Sequence, residues 1–379
     1  MQNPQKSLGM GKSKRTKMGK SNKEDLSQSL ILHPNAIQFL DQTASLTVEQ
    51  LKWQQVIQMS DHLSKQATIV GMLWNEESPK AESLKETIES YFISLQGFLL
   101  CCHKIAVAAG PTLSSLIHVS VKQIVDSSFE LSKGSVSLYE GTYEKDKKPY
   151  IPKLTAVVLE AWFNFKKVPS TNLIAIGNAI SQVAVIMKDV LNKMKDVKRP
   201  ACPSRECDDF SPEQIEFAKL VADIVSEAIM VVIVIRVMTK KIGMENPKED
   251  SEFVDSLEKV LKLCQRSGVE IEKLGTCVYH QPPLEIDKMV QTVKILGENL
   301  DEVEAEVEHK KWSSNAFPGV CRKLRDAIKL MEVGMEKRKD LNHIMIAHQN
   351  TIYNTLQLFN PTASPPTQEK VVRFTVIDV

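Results

Sequence analysis

The sequence predicts an all-α protein built as two antiparallel helix-bundle domains joined by a short proline-rich linker. Three observations carry this. Apolar residues recur at alternating steps of three and four along nearly the whole body of the chain, which gathers them on one face of each helix and packs neighbours at a shallow crossing angle. No stretch alternates convincingly with period two, so no sheet is expected in the body. The densest cluster of chain breakers, "KRPACPSRECDDFSP" from Lys198 to Pro212, lies near the middle and marks the division.

Taken in order, residues 1–23 carry seven lysines and arginines and no acid before Glu24, and read as a disordered basic tail. A nuclear-import or nucleic-acid patch is the sharper reading, but the interleaved aromatic residues that stacking requires are missing. Met10 and Met18 are alternative starts.

The N-terminal bundle is assigned to 24–197. Its stripes are Trp53, Val56, Ser60, Leu63, Ala67, Val70 and Trp74; then Ile88, Tyr91, Leu95, Phe98, Cys102 and Ile105; then Ile117, Val121, Ile124, Leu131 and Leu138, with Ser128 and Ser135 in the gaps; and Leu173, Ile176, Ile180, Val183, Met187, Val190 and Met194. Gly110–Pro111 ends one helix, glycine accepting a left-handed cap and proline refusing to continue the turn. Pro149, Pro152, Pro169, Pro247, Pro282 and Pro283 mark further breaks.

The linker is assigned to 198–211 and the C-terminal bundle to 212–335. Its stripes begin with Phe217, Val221, Ile224, Ala228, Val231, Ile235, Met238 and Ile242. Val254, Leu257, Leu261, Cys264, Ile271 and Val278 follow, with Gly268 and Gly275 in line. Ile286, Met289, Val293, Leu296, Leu300, Val303 and Val307 come next, and Phe317, Val320, Leu324, Ile328 and Met331 last. Thr47 to Gln50 and Ser211 to Gln214 both read as capping boxes, the second with Pro212 at the first helical position. "AIMVVIVI", from Ala228 to Ile235, is the most apolar run; at eight residues it is far short of the roughly 20 a membrane span requires.

Composition and motifs exclude more than they assign. Forty-eight basic against 47 acidic residues leave a net charge of +1, which argues against a global nucleic-acid or membrane-surface binder. Seven cysteines, an odd count, read as free thiols in a reducing compartment. Cys202 and Cys207 with Cys277 and His280 could supply a zinc site only across a whole intervening helix. Glu306 and His309 form one Glu-x-x-His pair where a di-iron centre needs two. The run "ENLDEVEAEVEHKK" reads as a solvated acidic face bearing Glu302, Glu304, Glu306 and Glu308. Cys102 and His103 are neighbours on a helix and so point about 100° apart, which makes Cys102 core rather than nucleophile. No phosphate loop, zinc-protease helix or serine elbow occurs. The expectation is a protein that is not an enzyme, with no catalytic or metal residues, no cofactor and no small-molecule substrate.

From Met335 the chain echoes its own beginning. Asp25, Leu26, Ile31, His33, Asn35 and Ile37 recur at constant offset as Asp340, Leu341, Ile346, His348, Asn350 and Ile352. Residues 336–379 are therefore read as a tail that starts a truncated second copy of the N-terminal helix, as a tandem fusion or a mis-spliced gene model would produce.

Several stretches then fall in a familiar order: "SKQATIVGMLW" from Ser64, "VKQIVDSS" from Val121, "EAWFNFKKVPSTNLIAIGNAI" from Glu160, "VYHQPPLEIDKMV" from Val278 and "NAFPGVCRKLRDAI" from Asn315. Together, over about Leu46 to Leu330, they resemble the cyclin-D1-binding protein 1 family, most closely its plant-type members. The turns at Trp162–Pro169 and Tyr279–Pro283 are the most specific parts. The acidic insertion of animal members is replaced here by the proline-rich seam. The resemblance implies a regulatory protein of nucleus and cytoplasm that binds D-type cyclins and helix-loop-helix transcription factors, restraining proliferation or transcription without touching DNA or membrane. It assigns no binding residue. Its physical form would be capture of an amphipathic partner helix in a groove between the bundles. A helical scaffold of the vinculin or catenin type is the alternative reading.

Overall fold

The computed structural model describes residues 53–74, 78–143, 148–197, 210–245, 249–279, 284–312 and 314–359. The basic tail, the Thr47–Gln50 box, most of the linker and the turn after Tyr279 lie outside the described residues. Among those described there is no strand, and nine helices account for the body. They are α1 (Trp53–Met72), α2 (Ala81–Ala108), α3 (Pro111–Glu140), α4 (Ile151–Phe165), α5 (Asn172–Val197), α6 (Pro212–Glu245), α7 (Ser251–Tyr279), α8 (Ile286–His309) and α9 (Phe317–Phe359). The all-helical class and the two-bundle build are those the apolar period predicts.

The units divide elsewhere than the breaker cluster suggests. The first runs to Ile176 and takes in Lys248–Glu258; the second holds Gly177–Pro247 and everything from Lys259. From Gly177 onward the stripe of α5 packs within the second unit: a Cβ on Gly268 would lie 3.1 Å from Val183, and one on Gly275 would lie 2.7 Å from Val190. At Gly275 α5 approaches too closely for a Cβ unless Val190 shifts, and at Gly268 the fit is tight.

In the first unit, α1 packs on α2 and α4, and α3 packs on α2 and α4, closing a ring of four helices. Helix α4 has no place among the predicted stripes because Pro152 was read as a break. It stands instead in the first turn of α4, where its missing N–H costs nothing. The centre of this unit is aromatic. Phe98, Trp162 and Phe165 are completely buried, with Phe98 edge-on to Trp162 at 4.9 Å and to Phe165 at 5.0 Å, while Trp53 lies over Phe165 at 5.5 Å.

Gly110 is not a left-handed cap. Its φ is −68°, and it caps the N-terminus of α3. The left-handed residue is Gly141, φ 68°, closing the C-terminus of α3. What requires glycine at 110 is crowding, since a Cβ there would lie 2.5 Å from Val254.

Ser128 answers one of the polar gaps in the α3 stripe. Its hydroxyl donates to the Ile124 carbonyl at 2.6 Å, so it accepts the Tyr91 hydroxyl at 2.6 Å. Burial pushes the Tyr91 phenol up to about 12, outweighing the hydrogen bond to Ser128. Because the folded state favours the neutral phenol, this contribution is complete below pH 10 and is lost as pH rises from 10 through 12, amounting to about 2–3 kcal/mol. Stability measured across that range is expected to fall less steeply in Tyr91→Phe than in the wild type.

In the second unit the Ser211 box forms as predicted. Ser211 N–H donates to Gln214 Oε1 at 2.9 Å and Gln214 N–H to Ser211 Oγ at 3.1 Å, ahead of Pro212. Gln214 Nε2 also donates to the Val278 carbonyl at 3.1 Å, tying α6 to the end of α7. Helix α9 packs along α6 and α8. Among its described side chains the last buried one is Met335, and none of residues 336–355 is buried. Surface pairs Arg338–Glu213 and Lys339–Asp287 join that extension to the bundle, and such pairs contribute about 0–1 kcal/mol each. Ending the chain after Met335 is expected to leave thermal stability nearly unchanged, as differential scanning calorimetry would show.

Candidate partner-binding surface

The residues that suggested chemistry do not assemble a site. Cys202, Cys207 and His280 lie outside the described residues. Cys277 is buried at the end of α7, its thiol pushed up by burial and then by Glu285. Burial likewise raises Cys102 well above the usual thiol range and Cys264 to about 12. Thiols held in the neutral form are poor nucleophiles. Among the described residues no three His, Cys, Asp or Glu side chains are grouped to hold a metal.

The acidic run on α8 is not uniformly solvated. Glu302 and Glu308 face water, but Glu306 is buried and accepts a bond from Lys259 Nζ at 2.7 Å. Glu304 is held by the Arg325 guanidinium, which also donates to Asp301 at 2.6 Å. Glu306 sits beside Val303 and Val307 on the seam with α7, where the long stem of Lys259 reaches it from the surface. An acidic docking strip on this face is thereby reduced to its outer edge.

A groove of about 640 Å³ lies between α7 and α8. Two lysines on its walls are paired, Lys273 with Glu270 at 2.8 Å and Lys288 with Glu285 at 2.6 Å, while Glu272 stands exposed outside those pairs.

What the sequence reading passed over is a set of apolar residues on the outer faces. On α2 the core stripe from Leu84 to Ala106 has an opposite number: Ile93, Leu100 and Val107, seven residues apart, with Ile93 70% exposed. On α6 the outward set is Met230, Ile233, Val237 and Met244. The signal was present as apolar residues in excess of the buried stripe. The C-terminal half of α2 is apolar over much of its surface, and among the described residues α2 and α5 are the two helices long and apolar enough, by composition, to cross a membrane. Each has a face buried in its own bundle; the run "AIMVVIVI" on α6 does not reach that measure. Large apolar side chains lined up in water beyond those a core requires mark a surface suited to a partner.

Fold and surface together define a class: an all-helical, two-unit protein with outward apolar stripes. Against family models, the chain matches Grap2 and cyclin-D-interacting, N-terminal, over residues 55–200, and Grap2 and cyclin-D-interacting, C-terminal, over residues 180–305. Together they span well over half of the 379 residues. The chain belongs to the Grap2 and cyclin-D-interacting protein family. A comparison with curated proteins returned no match.

Proposed function

We propose that this protein is a non-enzymatic regulator of nucleus and cytoplasm that binds D-type cyclins or helix-loop-helix transcription factors and restrains cell-cycle progression or transcription by sequestering them. The observation that carries this reading is the pair of family matches, which run unbroken through both bundles from 55 to 305. The neutral buried thiols support a binding role over a catalytic one. The outer face of α2 suits a partner helix, because Ile93, Leu100 and Val107 repeat at the i, i+7 spacing with which an amphipathic helix presents its anchors.

Titration calorimetry with purified D-type cyclin, and separately with a helix-loop-helix domain, tests the proposal. Saturable binding of at least one is expected. Ile93→Asp combined with Leu100→Asp should weaken it by about tenfold or more, since each removes a desolvated anchor, with the helical circular dichroism unchanged. Binding of neither partner overturns the function, and binding untouched by the double variant moves the site off α2.

A further inference from the structure

Helix α9 has two faces with opposite fates. Phe317, Cys321, Leu324, Ile328, Met331 and Met335 are buried. On the far side Leu330, Val333, Lys337, Leu341, Ile344, His348 and Ile352 are all exposed, Ile344 by 65%. Their steps are 3, 4, 4, 3, 4, 4, an 11-residue repeat of about 3.67 residues per turn that stays in line along a nearly straight helix. Five of the seven are aliphatic and one is charged. Beyond Met335 no residue up to 355 is buried, and surface ion pairs such as those to Glu213 and Asp287 do little to hold a helix of that length in water.

We propose that this stripe is the seam of a homodimer, in which a second copy of the chain lays the same helix antiparallel across it, centred on Leu341. The pattern reads nearly the same from either end. Leu330 meets Ile352 of the other copy, Val333 meets His348, Lys337 meets Ile344, and Leu341 meets its own equivalent. A parallel pair in register would stack Lys337 on Lys337 and His348 on His348. The antiparallel pair sets Lys337 against an isoleucine, where its stem covers apolar surface while the ammonium reaches water. A foreign helix would require no such internal symmetry. The seam is about 33 Å long and one helix, about 10–12 Å, wide, a size that associates weakly and with concentration dependence. It lies outside the family matches and is independent of cyclin binding.

Three of these positions, Leu341, His348 and Ile352, are among those repeated as Leu26, His33 and Ile37, so the chain's own N-terminal segment is the competing occupant.

Sedimentation velocity on the full chain from about 1 to about 100 µM, where interfaces of this size begin to form, tests the proposal. The average mass is expected to rise from 42.6 kDa toward twice that value. Leu341→Asp with Ile344→Asp should remain monomeric throughout with unchanged melting temperature, both side chains being exposed. Over the wild-type background, Leu341→Cys should add an interchain disulfide and Lys337→Cys should not. A monomer at every concentration, a dimer that survives the double aspartate variant, or ready cross-linking through Lys337→Cys overturns the proposal. So does protection of α9 from hydrogen exchange, in a monomeric full chain, that disappears on deleting residues 1–45; that result gives the stripe to the N-terminal segment.

Discussion

Trp162→Ala is expected to lower the stability of the first unit by about 3–5 kcal/mol, the range for deleting a fully buried aromatic side chain. The residue is completely buried, edge-on to Phe98 and Phe165. Its removal therefore forfeits edge-to-face contact as well as area, and rings held from α2 and α4 cannot close over the gap. Of the four tryptophans, Trp53, Trp74 and Trp162 lie in this unit and Trp312 in the other. Urea unfolding followed by fluorescence would show the loss as an early transition, with helicity of the second unit persisting. A midpoint within experimental error of the wild type would mean that the aromatic cluster is not the centre of this core.

The second large effect is expected where segment 249–258 meets two helix starts. Glu258 accepts the Thr112 N–H at 2.9 Å and the Thr112 hydroxyl at 2.7 Å, at the first turn of α3. Glu249 accepts the Asn172 and Leu173 N–H groups at 3.0 and 3.1 Å, and the Asn172 side-chain amide at 2.9 Å, at the first turn of α5. Asn172 in turn accepts the Gly110 N–H at 2.7 Å. Two carboxylates thus occupy two helix N-termini, where amides and macrodipole both favour negative charge. Converting both to alanine strands those donors and is expected to cost about 4 kcal/mol, from charge-assisted bonds of about 1.5–3 kcal/mol each discounted for partial solvation. Glutamine at both positions keeps acceptors without the charge and should recover part of the loss. Equal melting temperatures for the alanine double variant and the wild type would show the two glutamates to be ornamental.

The contrast between these sites marks what a sequence discloses here. The buried faces were legible because burial repeats with the helix: Ile180, Val183, Met187, Val190 and Met194 show their period without reference to anything else. The Ser211–Gln214 box was legible because its two partners stand three residues apart. Pro152 was misread because the same ring breaks a helix at its middle and opens one at its start. Gly110 was given the right boundary and the wrong cause, the clash with Val254 lying 144 positions away in the chain. Glu249 and Glu258 carry no local sign of their role, since a glutamate near the start of α7 looks like any solvated one until α3 and α5 are placed beside it. Glu306 was assigned to water for the same reason. The outward stripe on α2 was hidden by its own regularity, because residues seven apart on the far face are read as surplus once a core stripe has been found.

The glutamate pair has a bearing on synthesis. All four helices of the first ring are made by Phe165, yet the acids that finish the start of α3 and the start of the following α5 come only at 258 and 249. At ribosomal rates of roughly 5–20 residues per second, the 82 positions from 176 to 258 take on the order of 4–16 s. For that interval the nascent ring waits with bare amides, and a gene cut at the midpoint would leave it waiting permanently.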